Sequence, residues 1–187
     1  VAGDTLGGVV EVVAAGHPPG LGGYADPRQR LTARLAGALM SIPAVKGVEV
    51  GEGFGAAGVP GSAFHDRIVP AGSDGAVGGF GAFGRSSNRA GGLEGGLTTG
   101  APLVLRVAMK PISTLRQGLD TVAFGSGETV RSTYQRSDVT AVPALSVVAE
   151  NLVALELAAA LLEAFGGATL EATRQNLASW TARATGL

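Results

Sequence analysis

The chain contains no cysteine, and it carries little charge: Lys, Arg, Asp and Glu make up 16% of its 187 residues, against about 25% in an average domain. The first absence excludes disulfides and thiolate chemistry. It suits a reducing compartment, so a cytoplasmic location is expected. The second leaves a poorly charged surface of the kind that partner subunits cover. A formal net charge of −1 and a pI near 6.1 argue against a nucleic-acid protein, because phosphate contacts need a basic face. Metal donors are also missing: His17 and His65 lie far apart and lack ligand spacing. No Walker A lysine pattern and no Gly-x-Ser-x-Gly elbow occurs. Residues 1–8 hold no basic run and no signal-peptide core. The longest apolar stretch, 143–165, is interrupted by Glu150, Asn151, Glu156 and Glu163, so no membrane span is expected. The chain opens on valine directly in structured-looking sequence, from which a fragment of a longer chain is expected.

What is present is apolar and rich in glycine. Hydrophobic residues reach 45%, enough for a core that buries roughly two-thirds of the unfolded surface. Glycine accounts for 31 residues, more than twice the usual ~7%. Residues 9–13 read Val-Val-Glu-Val-Val, a β-branched strand, broken by Gly16-His17-Pro18-Pro19-Gly20. Asp26-Pro27 reads as N-cap and N1 proline of a helix that carries Leu31, Leu35 and Leu39 and ends near Met40 before Pro43. A strand at 45–50 follows. Residues 51–100 read as mostly irregular, with a candidate ligand loop at 71–100, since eleven of those thirty residues are glycine. A strand at 103–109, a hairpin around Gly125-Ser126-Gly127 and two helices, 143–165 and 170–184, complete the pattern. The first helix is apolar nearly all round and is expected to be buried on most sides. The second is amphipathic, with Leu170, Leu177 and Trp180 on one side. The fold class expected is α+β, in one domain.

Several motifs could carry chemistry. Residues 79–84 match Gly-x-Gly-x-x-Gly, but the flanks supply neither the strand nor the helix that a dinucleotide fold requires. Residues 85–100 hold Arg85, Arg89 and the glycine pairs Gly91-Gly92 and Gly95-Gly96. Glycine admits positive φ and close approach of a ligand, and guanidinium groups pair with phosphate or carboxylate. The same residues also suit a solvated, turn-rich loop. Lys110-Pro111-Ile112-Ser113-Thr114 offers a cation, two hydroxyls and backbone N–H groups at a strand end, a reasonable phosphate or flavin edge, or an ordinary strand exit. Arg136-Ser137-Asp138 precedes the apolar helix, where it serves either a site or a helix cap with an ion pair.

Taken in order, these segments resemble chorismate synthase. The resemblance rests on residues 3–11, Gly-Asp-Thr-Leu-Gly-Gly-Val-Val-Glu, on 40–49, Met-Ser-Ile-Pro-Ala-Val-Lys-Gly-Val-Glu, and on 51–54, 88–96, 109–115 and 136–143, and it extends to about residue 176. It implies an α+β fold of helices layered between antiparallel sheets, here half of the full fold, assembled as a homotetramer. The family is a lyase that eliminates phosphate and a proton from 5-enolpyruvylshikimate 3-phosphate with reduced FMN. The resemblance places FMN contacts at Pro43 and Ala44, at Gly95, at Lys110, Pro111, Ile112, Ser113 and Thr114, and at Arg136. It gives Asp138 a part in taking the substrate proton. It says nothing on whether an NADPH-dependent flavin reductase activity is intrinsic.

The family's chain is roughly twice as long, and its Gly-Glu-Ser-His-Gly motif and second catalytic histidine have no counterpart here. His17 and His65 match neither. The expected partner is therefore an N-terminal half of the same fold. The alternative is a non-catalytic flavin-binding or oligomerisation fragment.

Overall fold

The computed structural model describes residues 3–135 and 138–185. In chain order the elements are β1 (Gly8–Ala14), α1 (Leu31–Met40), β2 (Val45–Val50), a 3-10 turn (Gly53–Gly58), α2 (Gly61–Phe64), β3 (Ile68–Pro70), β4 (Val77–Phe80), β5 (Phe83–Arg85), β6 (Leu93–Glu94), β7 (Leu97–Thr98), β8 (Leu103–Met109), β9 (Asp120–Val122), β10 (Thr129–Arg131), α3 (Val142–Phe165) and α4 (Leu170–Thr185).

The main sheet has the order β1-β8-β2, with β8 antiparallel to both neighbours. Alternation along β8 sends Leu103, Leu105 and Val107 into the core, where they join Val10 and Val12 of β1 and Val45 of β2. The opposite face carries Glu11, Arg106 and Glu49 in register across the three strands. Arg106 pairs with Glu11 at 3.1 Å and with Glu49 at 3.7 Å. Leu31, Leu35 and Leu39 repeat every four residues and present one buried stripe of α1 to the sheet. Beside it lies α3, buried through Leu145, Ala149, Val153, Ala160 and Phe165. Arg34 of α1 joins the two helices through Glu156 at 3.0 Å and Glu163 at 2.7 Å. Trp180 of α4 stacks against Phe165 of α3 and Phe80 of β4. The expected α+β architecture of helices against antiparallel strands is what is found.

Four local expectations are corrected. The helix expected from Asp26-Pro27 begins at Leu31, because the Asp26 carboxylate accepts from the Arg28 N–H and closes a turn instead, while Leu31 N–H goes to Gly96 O. Residues 51–100 carry more regular structure than expected, although about half of them lie outside strands and helices. They form a three-stranded sheet of order β3-β5-β4 and the β6-β7 hairpin, whose turn is Gly95-Gly96 at φ 61° and 90°. Glycine density there encodes tight turns between very short strands. The Gly-x-Gly-x-x-Gly match falls across the β4-β5 hairpin. Helix α3 is buried on one face only and leaves Val147, Val148, Leu155 and Leu162 exposed. On α4, Leu177 and Trp180 pack on the core but Leu170 is exposed, and Thr173 is the buried residue of that side.

Candidate functional site at the end of the main sheet

Beyond Met109, β8 leaves the sheet beside the entry to β2. The Lys110 N–H donates to Ala44 O at 2.9 Å, which joins the Pro43-Ala44 corner to the Lys110-Pro111-Ile112-Ser113-Thr114 segment. Ala44 has φ 70°, the one positive value for a non-glycine among the described residues. That conformation costs an alanine about 1 kcal/mol and persists where the surroundings over-determine it. Pro43 precedes it, and the bulge between Val45 and Gly47 follows it. The backbone thus turns sharply at the corner that faces Lys110.

The N-terminal segment closes the same end. The hydroxyl of Thr5, a residue 7% exposed, donates to Ile112 O at 2.6 Å, and Leu6 N–H donates to Val139 O at 2.8 Å. Gly7 passes so close to this exit that an added Cβ would meet Met109 O and the Lys110 carbonyl carbon. Gly3, Asp4, Thr5, Thr114, Arg116, Asp138 and Val139 line one cleft of about 130 Å³. Asp138 is not the helix cap: Ala141 occupies that position without a side-chain bond, and Thr140 Oγ1 accepts from Val142 N–H. Among the described residues Lys110 has no carboxylate within ion-pair distance, and it is exposed. Arg136, named from the sequence, lies outside the described residues.

The structure therefore ties the Pro43-Ala44 corner to the segment 110–114 through the Lys110 N–H, and places Asp138 in one cleft with Thr114 at the end of that segment. It does not bring Gly95 to them. Gly95 sits at the other end of α1, whose ten residues span about 15 Å. There it lines a second, open cleft of about 570 Å³ with Arg85, Arg89, His65 and Asp66. That region is organised by Asp66, a residue the sequence reading left without a role. Its carboxylate, on a residue 7% exposed, accepts from the Ser87 hydroxyl at 2.6 Å and from the N–H groups of Arg89 and Ala90 at 2.9 Å each. Burial pushes its pKa up, yet the Ser87, Ala90 and Arg89 hydrogen bonds and the charge of Arg85 outweigh it and hold the carboxyl below its ordinary 3.8. Arg85 pairs with Glu94 at 2.9 Å and donates to Asp66 O at 2.9 Å. Thr5, Arg116 and Asp4 were missed as site residues too. Asp4 and Thr5 lie more than 100 residues before Thr114, and Arg116 stands just beyond the 110–114 segment.

The architecture is that of an α+β protein in which helices pack against antiparallel sheets, and a solved structure, "Crystal Structure of Chorismate Synthase", has the same fold: TM-score 0.78, 39% identity, with 100% of this chain and 46% of that chain covered. The chorismate synthase family profile matches residues 1–162, and the chain belongs to that family. The chorismate synthase of Saccharopolyspora erythraea is 57% identical over 180 residues, 96% of this chain and 43% of the relative. That of Mycolicibacterium vanbaalenii is 55% identical over 178 residues, 95% of this chain and 42% of the relative. The chain spans less than half the length of the curated relatives it matches.

Proposed function

We propose that this chain supplies the flavin-binding half of a chorismate synthase, a lyase that converts 5-enolpyruvylshikimate 3-phosphate to chorismate and phosphate with reduced FMN. One observation carries the reading: segments distant in sequence converge at one sheet end, where Ala44 and Lys110 meet, Asp138 lines the adjoining cleft, and Lys110 has no ion-pair partner among the described residues. An exposed, uncompensated ammonium beside a hydroxyl-bearing loop suits a phosphorylated, anionic ligand. The donor set therefore fits FMN, held by Pro43, Ala44, Lys110, Pro111, Ile112, Ser113, Thr114 and Arg136. Gly95, at the other end of α1 in the second cleft, lies outside that set.

The chemistry that reduced flavin supplies is a transient electron, returned by the end of the elimination. The residues of this chain bind and orient. Lys110 offsets ligand charge. The Thr5 bond to Ile112 O fixes the loop that carries Ser113 and Thr114. Asp138, free of a capping duty, helps to take the proton that leaves the substrate, within ordinary general-base chemistry. The histidines the family uses belong to its N-terminal half, so turnover requires that half, in a cytoplasmic homotetramer.

Titration of the purified chain with FMN, followed by flavin fluorescence, tests the site. Saturable quenching that Lys110→Ala weakens supports it. Quenching indifferent to Lys110 removes the site, and no quenching at all leaves the oligomerisation fragment as the better reading. Supplying the complementary portion of the Saccharopolyspora erythraea enzyme, with reduced FMN and substrate, then separates the catalytic half from a non-catalytic binder by release of chorismate.

A further inference from the structure

His17 is a titratable side chain that the Lys110 end of the molecule does not use. It follows β1 beyond Ala14, which pairs with Leu103, whereas Lys110 lies at the Gly8–Met109 end of the same strands. The seven residues of β1 hold the two ends about 20 Å apart. The His17 ring is half-buried. Its Nδ1 lies 3.4 Å from Pro18 O, which can only accept, so the proton of the neutral ring is assigned to Nδ1. A second proton has to go to Nε2, which is buried with no hydrogen-bond partner among the described residues.

His17 lines a cleft of about 400 Å³ with Pro102, Gly78, Phe80, Leu177 and Thr181, and no Asp, Glu, Lys or Arg lines it. The charged groups of the surrounding elements are committed elsewhere or exposed. On β1, Glu11 pairs with Arg106. On the β4-β5 hairpin, Arg85 pairs with Glu94, and Asp74 in the turn before it is exposed. On α4, Glu171, Arg174 and Arg183 are exposed. An imidazolium formed here gains no carboxylate, so its charge has to reach water.

Of the elements around the cleft, the second half of α4 has the least to hold it. Ala101 is 2% exposed, and Pro102 O accepts from Asn88 Nδ2 at 2.8 Å. Strand β4 is paired to β5. The first half of α4 is fixed by Thr173, 3% exposed, and by Asn176, whose Nδ2 donates to Phe165 O at 3.1 Å and to Gly166 O at 3.2 Å. From Leu177 onward the side chains make no ion pair and no hydrogen bond outside the helix among the described residues. That half is seated by Trp180, whose ring centroid lies 5.1 Å from that of Phe80 and 5.4 Å from that of Phe165. Its end meets Gly81, where an added Cβ would lie 3.2 Å from Thr185 Cα. A segment with few anchors opens before the rest of a domain does.

We propose that the second half of α4 is a proton-released latch: a proton taken up on His17 Nε2 drives residues 177–185 off the cleft and unseats Trp180 from Phe80. With the latch shut, Nε2 resists the proton; released, the ring titrates near its ordinary 6.5. The latch is complete above 6.5, and each pH unit below it favours the released form by up to about tenfold, until the latched ring itself protonates. The device sits at the sheet end away from the proposed flavin site and does not depend on it.

Trp180 is the single tryptophan of the chain, so its fluorescence reads the latch directly. Acrylamide quenching of the purified chain is measured from pH 8 to pH 5. The expected result is a quenching constant that rises about threefold on the acid side of 6.5, as the indole leaves its aromatic neighbours for water. The rise is reversible, the chain keeps its cooperative thermal transition, and His17→Asn abolishes the rise while His65→Asn keeps it. A quenching constant that does not change with pH overturns the proposal, and so does a rise that survives His17→Asn or vanishes in His65→Asn. If His17→Asn does not fold, hydrogen exchange of the unaltered chain decides, after correction for the intrinsic pH dependence of exchange. Protection lost at acid pH in 177–185 but kept in 145–165 supports the latch. Protection lost equally in both segments, or in neither, overturns it.

Discussion

The two ends of α1 carry the same kinds of side chain and use them differently. At the Gly95 end the charges answer one another: Asp66 is saturated by Ser87, Arg89 and Ala90, and Arg85 by Glu94 and the Asp66 carbonyl. At the Lys110 end the backbone is tied by Thr5, Ala44 and Val139, but the Lys110 and Asp138 side chains are left exposed. Internal pairing fixes a loop, whereas uncommitted charge on a fixed loop is what a ligand can use. A mutation at the first end should therefore act on stability, and one at the second on binding.

The largest expected effect is at Asp66. Asp66→Ala leaves the Arg89 and Ala90 N–H groups and the Ser87 hydroxyl without their acceptor, at a cost of about 3 kcal/mol. Urea unfolding should show that loss, with Lys110-dependent flavin quenching retained under native conditions. The same carboxyl sets an acid limit. Its folded pKa lies below the ordinary 3.8, so its contribution is complete above 3.8 and is lost as pH falls through the lowered value. Asp66→Asn should flatten that acid limb of the unfolding profile.

Lys110→Ala reverses the pattern. Stability should stay within about 0.5 kcal/mol, as for an exposed side chain with no ion pair among the described residues. Flavin affinity should fall about tenfold, or roughly 1.4 kcal/mol. A stability loss equal to that of Asp66→Ala would erase the contrast between the two ends.

Much of the frame was legible because its signal is periodic. Leu31, Leu35 and Leu39 state one face of a helix, and 103–109 alternates as a strand does. What was not legible depends on pairing across the chain. Nothing near Asp26 in sequence shows that Gly96 takes the first amide of α1. No spacing shows that Asp66 holds residues 87–90, more than twenty positions away. The exposed side of α3 was read as buried because a uniformly apolar helix does not say whether this chain or another covers it. At the site, long and unusual motifs named Ala44, Lys110 and Asp138. The separation of Gly95 from them required the geometry.

Ala44 tests the fixed corner itself. Ala44→Val places a β-branched residue at φ 70° and should cost about 2 kcal/mol. Ala44→Gly removes the steric penalty while loosening the unfolded chain, so stability should change by no more than about 0.5 kcal/mol. If valine were tolerated as well as glycine, the corner would not be over-determined and its role in presenting Lys110 would fail.

The smallest effect lies outside both ends, at His17. Burial lowers its pKa from 6.5, against the raising pull of the Pro18 and Ala14 carbonyls, and its Nε2 is buried with no hydrogen-bond partner among the described residues. Below 6.5 the unfolded chain takes up a proton that the folded chain refuses. Stability is therefore complete above 6.5, declines as pH falls, and stops declining once the lowered folded pKa is passed. Thermal unfolding of the chain between pH 5 and 8 should show this slope, and His17→Asn should remove it while leaving flavin quenching and the Asp66 acid limb unchanged. A slope that survives the substitution would move the titration to another group and separate His17 from the pH response altogether.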